Sequence, residues 1–371
     1  MAFADIAVNA SVVGGNPTGL GLYTINLVRG LDRLRTDLEV YTSAPAAFGP
    51  LRARLRRIAS LGRPEHGLRG HAARLLWTQL VLRARAGGAR VLLNTVPEGP
   101  LGGRPEQVTV VHDLLPLQFP EEYPRQQYYF RHLVPRVLRR SRVVVADSES
   151  TRQEVIRRYG LPGDHIRVVY PGFDPERFYR DPASPASPAG TPYLLYVGNI
   201  LPHKNLLRLV EAFARVRRRA PCRLVIRGTG RPAYGRALRR RIEALGVGDG
   251  VRFEEYAGAD ALRGLYAGAA CLVLPSLAEG FGLPILEAMA SGTPVVTSSV
   301  SSLAEVAGGA AVTVDPYDVA ALAGAIGAVL TGPERRAELR QRGLERARQF
   351  SWERTAAEVS RLIDVAAPAV A

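Results

Sequence analysis

The stretch Pro275-Ser-Leu-Ala-Glu-Gly-Phe-Gly-Leu-Pro-Ile-Leu-Glu-Ala288 reads as a strand end, a glycine-bearing loop and the start of a helix. The apolar run Cys271–Leu274 before it is short and closed by a proline, as expected of a buried strand. The helix starts near Leu283, with Pro284 in its first turn, where a missing N–H costs little. Free N–H groups and the helix dipole at that end favour an anion, and a diphosphate suits them. Gly280 and Gly282 let the backbone approach such a ligand closely. Glu279 on the loop and Glu287 on the first helical turns make poor phosphate contacts. They make good acceptors for the hydroxyls of a ribose and of a sugar.

This strand–loop–helix is one unit of a parallel α/β sheet, and the chain repeats it on both sides. Before it, Ile6–Ala10, Glu39–Thr42, Arg90–Asn94, Val108–His112 and Arg142–Ala146 read as strands, with helical segments between them, the first near Leu20–Leu34. Around it, Tyr193–Val197, Arg223–Ile226, Val251–Phe253, Val295–Thr297 and Ala311–Val314 form a second series. The segment Arg180–Gly190, rich in Pro, Ser and Ala, has no apolar anchor and reads as an exposed linker. The expectation is therefore an α/β fold with two doubly wound, Rossmann-like domains, residues 1–180 and 191–350, facing each other across a cleft. Ser351 reads as the N-cap of a last helix, within residues 351–371. Its face Trp352, Ala356, Val359, Leu362 and Ile363 packs on its own domain or back on the first.

The 371 residues and the 47% hydrophobic content suit two domains with separate cores. Cys222 and Cys271, the only cysteines, lie in apolar runs and read as buried thiols. That count excludes a disulfide scaffold and fits a reducing compartment. Met1–Val13 does not read as a secretory signal, and no apolar run is long enough to span a bilayer. The expected location is cytoplasmic, with the inner face of the membrane as an alternative. The net charge of +15 favours anionic partners. Nearly all of the excess is arginine, which GC-rich coding alone supplies, so charge carries little weight.

Three further segments carry candidate chemistry. In Tyr196-Val-Gly-Asn-Ile-Leu-Pro-His-Lys-Asn-Leu206, Lys204 sits where a new helix begins, within reach of a diphosphate leaving group. A fixed cation there stabilises the charge that develops on departure. In Gly14-Gly-Asn-Pro-Thr-Gly-Leu-Gly-Leu-Tyr23 the glycines lie between the first strand and the first helix, and only loosely match a dinucleotide fingerprint. In Val110-Val-His-Asp-Leu-Leu-Pro116, His112 ends an apolar strand and Asp113 reads as a turn cap. Ser148 in Asp147-Ser-Glu-Ser-Thr151 reads as an N-cap with Glu149 as a first-turn acid.

Glu279 followed by Glu287 resembles the paired-glutamate motif of glycosyltransferase family 4, whose members are retaining enzymes of the GT-B fold, and the resemblance covers nearly the whole chain. It implies that Glu287 holds the ribose hydroxyls and that Glu279 lies by the donor sugar. Backbone N–H groups around Phe281, Gly282 and Leu283 would hold sugar hydroxyls or phosphate oxygens. Gly19 and Gly21 would cap the diphosphate, and His112 would lie beside the donor sugar. The nucleotide base would sit near Arg227–Gly230 and Glu255-Tyr256. Similar enzymes often carry arginine where this chain has Asn199 and His203. That leaves Lys204 as the main cation, with Asn199 and His203 as further donor-binding candidates, His203 reading equally as a loop histidine.

The resemblance implies transfer of a hexose, mannose from GDP-mannose as the first reading, from a nucleotide diphosphate sugar to a glycan or lipid-linked acceptor. Front-face attack is favoured over a covalent intermediate. The chain has no Asp-x-Asp motif and no Cys/His cluster with metal-ligand spacing, so neither metal nor cofactor is expected. Three rivals stand beside this reading: a sugar-nucleotide epimerase of the same fold, a phosphorylase, and a basic nucleic-acid-binding protein. The first lacks extra acid/base groups, the second lacks length, and the third rests on charge alone. Finally, Leu51, Leu55, Ile58 and Leu61 fall at helical spacing among Arg52, Arg54, Arg56 and Arg57. This stretch reads as an amphipathic helix, either resting on an anionic membrane or covering a core stripe.

Overall fold

The computed structural model describes residues 5–15, 17, 19–59, 67–180, 190–254 and 259–368. The linker residues 181–189, Asn16 and Thr18 of the first glycine loop, Leu61, and Glu255-Tyr256 lie outside them.

Short β-branched runs become two sheets in which every pairing is parallel. The first contains β1 (Ile6–Asn9), β2 (Leu38–Thr42), β3 (Arg54–Arg57), β4 (Val91–Asn94), β5 (Glu106–Val111), β6 (Val143–Ala146) and β7 (Ile166–Val168), in the order β3-β2-β1-β4-β5-β6-β7. The second contains β8 (Tyr193–Val197), β9 (Arg223–Arg227), β10 (Val251–Glu254), β11 (Cys271–Leu274), β12 (Val295–Ser298) and β13 (Val312–Val314), in the order β10-β9-β8-β11-β12-β13. Both are doubly wound. The strand order reverses between β1 and β4 in one sheet and between β8 and β11 in the other. Loops leaving neighbouring strands at a reversal diverge and open a crevice beyond the carboxyl ends.

The chain divides into two compact units, residues 1–172 with 351–371, and residues 173–350. The division falls at Gly172, eight residues before the expected boundary, because Phe173 and Phe178 already pack into the second core. The last helix, Trp352–Ala366, belongs to the first unit. Ser351 caps it, accepting from the Arg354 N–H, and Ala356, Val359 and Ile363 are buried in the first core. Close approach to the helix Gly19–Leu34 requires Gly30, where an added Cβ would lie 2.6 Å from that of Ala356.

The basic stretch 51–61 does not form the expected helix. Arg54–Arg57 is the edge strand β3, paired with β2 through Glu39↔Arg54 and Tyr41↔Arg56. The alternation of Arg and Leu has a period of two as well as a helical one. Tertiary partners decide between them. Arg56 donates to the Glu39 carboxylate at 2.7 Å, and Asp32 accepts the N–H groups of Arg52 and Ala53. Leu51 and Leu55 pack on the first core, and Ile58 is buried. An amphipathic helix resting on a membrane here is therefore ruled out. Among the described residues no helix is long and apolar enough to cross a membrane.

Candidate active site

In the second unit the site grows from the two strands beside the reversal. β8 leads into the turn Gly198–Lys204, and β11 leads into the loop Pro275–Gly282. Asn205, held at φ +63°, stitches them together, its amide donating to the carbonyls of Pro275 at 3.0 Å and Pro316 at 2.7 Å. The Leu277 N–H donates to the His203 carbonyl at 2.8 Å. This brings Lys204 to Glu279, with Nζ donating to Oε2 at 2.6 Å and Oε1 at 2.7 Å. Ser276 Oγ also donates to Glu279 Oε1 at 2.7 Å. The Glu279 backbone is fixed from the start of the helix Ser301–Ala307, as Ser301 and Ser302 hydroxyls donate to its carbonyl and Ser301 Oγ accepts its N–H. Both charged side chains keep partial exposure, 14% and 13%, so the pair is reachable from solvent.

Gly282, at φ +112°, turns the chain into the helix Leu283–Ala290, with Pro284 in its first turn. The first N–H groups of a helix have no intrahelical acceptor, so this end suits an anion or hydroxyl. Glu287 lies on that helix, and the Tyr266 hydroxyl donates to its Oε2 at 2.8 Å. Burial pushes the Glu287 carboxyl up to about 7, against the pull of the Tyr266 hydrogen bond and of Arg177. Across β9, an added Cβ on Gly228 would lie 1.9 Å from the Gly198 carbonyl oxygen. Only glycine permits the two loop backbones to run so close.

Three further candidates for donor binding are His203, Phe281 and Asn199. His203 is buried, 1% exposed, and its carbonyl braces the facing loop. Phe281 turns into the core against Phe350, so it offers a ligand its backbone rather than its ring. Asn199 is exposed, with its carbonyl accepting from Tyr196.

In the first unit, Gly19 and Gly21 open the first helix. An added Cβ on Gly21 would lie 2.9 Å from Pro17, whereas Gly19 has open space. His112 follows β5 and is buried. Its Nδ1 lies 2.6 Å from Asp147 Oδ2, and its Nε2 lies 2.8 Å from the Thr95 carbonyl oxygen. A carbonyl only accepts, so Nε2 donates to Thr95, and the carboxylate beside Nδ1 favours a proton there as well. Burial alone would lower its pKa, but the Asp147 carboxylate outweighs it and the net shift is upward. In this arrangement neither nitrogen is left for a sugar hydroxyl. Asp113 accepts the Leu115 N–H as a turn cap, and Ser148 caps the helix Glu149–Tyr159.

Sequence reading missed Tyr266, Ser276, Ser301 and Asp147. Tyr266 and Ser301 come from elements without a distinctive motif, and Ser276 lies inside the Pro275–Ala288 stretch, where the two glutamates drew the reading. Asp147 stands directly before a recognised N-cap, where its own role was hidden. Among the described residues no three His, Cys, Asp or Glu side chains are grouped so as to hold a metal ion.

With this geometry in place, comparison with known proteins defines the class. The model for glycosyl transferases group 1 matches residues 179–346, and that for glycosyltransferase family 4 matches residues 17–177. The O-antigen chain mannosyltransferase B of Escherichia coli is 31% identical over 358 residues, 91% of this chain and 93% of that protein. A sucrose-phosphate synthase from Thermosynechococcus elongatus superposes with a TM-score of 0.77 at 22% identity, covering 97% of this chain and 98% of that one. The Anabaena protein Alr3699/HepE, in complex with UDP-glucose, does so with a TM-score of 0.76 at 18% identity, covering 97% and 99%. The chain is a glycosyltransferase of the GT-B fold. It belongs to glycosyltransferase family 4.

Proposed function

We propose that this protein is a retaining hexosyltransferase that takes mannose from GDP-mannose to a glycan or lipid-linked acceptor without a metal ion. The observation that carries the reading is the meeting of Lys204 with Glu279, at a helix N-terminus whose next turn presents Glu287. Glu287 accepts the ribose hydroxyls. The N–H groups at Gly282 and Leu283 hold the diphosphate or the sugar hydroxyls. Glu279 accepts from the donor sugar, and Lys204 faces the leaving group. The likeness to a mannosyltransferase over nine-tenths of the chain supports mannose. The UDP-glucose bound by Alr3699/HepE keeps uridine donors in the comparison.

In the step, the bond between the anomeric carbon and the phosphate oxygen breaks, and its electron pair stays on the diphosphate. The acceptor oxygen attacks from the same face, and its proton passes to the departing phosphate oxygen. On this reading Lys204, anchored by Glu279, and the helix end face the charge that develops, so little reorganisation is needed. His112, donating from both nitrogens, fits a positioning role for the Thr95 and Asp147 loops better than that of a base. Freedom from metal rests on the lack of an Asp-x-Asp motif and on Lys204 and the helix end as the groups that face the diphosphate.

Incubation with GDP-mannose and methyl α-D-mannopyranoside in EDTA, with the product read by NMR, tests this. An α-linked product supports retention without metal. A β-linked product, or transfer that appears only on adding a divalent cation, contradicts that part of the reading.

A further inference from the structure

Among the described residues, two that are not glycine adopt a left-handed backbone, Asn205 at φ +63° and Ser301 at φ +60°. Both brace the loops that bring Lys204 and Glu279 together. Asparagine enters this region readily, because its short side chain bonds the nearby backbone, whereas serine does so seldom. Glycine would sit there without strain. A strained residue persists only where its surroundings over-determine it, and such residues cluster at functional sites.

The surroundings of Ser301 do fix it. Its hydroxyl donates to the Glu279 carbonyl at 2.8 Å and accepts the Glu279 N–H at 3.1 Å. One side chain thus holds both polar groups of a single residue's backbone. It continues a run of hydroxyls from β12 and the helix start that grip the facing loop. Thr297 donates to the Leu274 carbonyl at 2.8 Å and Ser298 to that of Ser276 at 2.6 Å. Ser302 donates to the carbonyls of Glu279 and Phe281, each at 2.9 Å.

The gripped loop needs such support. Gly280 and Gly282 follow Glu279 closely and leave the chain little stiffness of its own. The Glu279 carboxylate is held from the other side by Lys204 and Ser276. Glu279 is therefore fixed at both ends, the carboxylate by one loop and the peptide by Ser301. We propose that Ser301 is a positioning residue for the transfer step. It keeps an unfavourable backbone conformation so that its hydroxyl fixes the Glu279 peptide, and with it the carboxylate that faces the donor sugar. The place of Glu279 at the sugar rests on the transferase reading above. The clamp on its peptide rests on the geometry alone.

Two substitutions separate positioning from a purely structural role. Ser301→Ala removes the hydroxyl and keeps the strain, whereas Ser301→Gly removes the hydroxyl and relieves the strain. Ser301→Ala is therefore expected to unfold about 3 °C below Ser301→Gly. Both are nevertheless expected to turn over GDP-mannose with methyl α-D-mannopyranoside about tenfold more slowly than the parent. Their affinity for GDP, which has no sugar to meet Glu279, is expected to stay unchanged. In both, NMR should show the Glu279 amide exchanging with deuterium at least about tenfold faster, with the β11 amides unaltered. Parent-like turnover by Ser301→Gly, with Ser301→Ala alone impaired, would mean that activity follows stability and overturns the proposal. So does unchanged exchange at the Glu279 amide. If Ser301→Ala does not fold, Ser301→Gly decides by turnover and exchange. If the folded parent transfers sugar from no nucleotide donor, the transferase reading fails, and the exchange comparison still decides the clamp.

Discussion

Lys204 Nζ lies 2.6 and 2.7 Å from the two carboxylate oxygens of Glu279, a residue 75 positions further along the chain. The strands that deliver them, β8 and β11, are neighbours at the reversal of the second sheet. Lys204 is also the only lysine in the sequence, every other basic residue among the 49 being arginine. On the proposed reading, a chain so committed to arginine keeps an ammonium where a compact point charge fits between a carboxylate and a phosphate. The forked, planar guanidinium is not its substitute. Lys204→Ala is expected to lower kcat by about 10²–10³. Lys204→Arg is expected to recover little of that, and recovery to near the parent rate would show that any cation suffices.

With Glu287 in its proposed role at the ribose, its raised carboxyl gives donor binding a pH dependence. It must be ionised to accept two ribose hydroxyls, and half of it is protonated near 7. The donor Kd is therefore expected to rise about tenfold per pH unit below that point. Tyr266→Phe removes a hydrogen bond that favours the ionised form and should move the midpoint upward. Between 4.5 and about 7 the folded protein holds a proton here that the unfolded chain has lost, so this group's contribution to stability falls as pH rises across that window. Calorimetric Kd values from pH 5.5 to 8.5 check the binding effect, and a flat profile contradicts it.

His112 has the opposite dependence. Its folded pKa lies above the ordinary value of 6.5, so its stabilisation is complete below 6.5 and is lost as pH rises through the folded value. Denaturant unfolding of the parent should show this decline, and His112→Gln should remove it. Unchanged pH slopes in the two proteins would mean that the ring is neutral between Asp147 and Thr95.

The last helix is part of the first unit's core. Ile363 is 1% exposed within it, and Ile363→Ala is expected to cost about 2–5 kcal/mol of stability. A loss well below that, measured by denaturant unfolding, would show that the helix adds little to this core.

Much of this was legible from the chain alone. All eleven strands anticipated shift by at most two residues at either end or not at all, because β-branched runs between turn residues have few alternatives in a parallel sheet. The strand–loop–helix unit that carries Glu279, Gly282 and Glu287 was legible too, since its strand, glycine loop and helix start are contiguous in sequence. Strand β3 was not legible, because Arg-Leu alternation serves a strand as well as a helix face until Glu39 and Asp32 are known to lie beside it. Nor were the partners of His112. Asp147 and Thr95 meet it only once β4, β5 and β6 are side by side.

The most direct test of the central claim is a calorimetric titration in EDTA with GDP-mannose, UDP-glucose, UDP-N-acetylglucosamine and dTDP-rhamnose, using the parent, Glu287→Ala and Lys204→Ala. Binding of GDP-mannose in preference to the others, lost in both variants, is the expected result. Binding that survives both substitutions, or no binding of any donor by the folded parent, would contradict the assignment of this site.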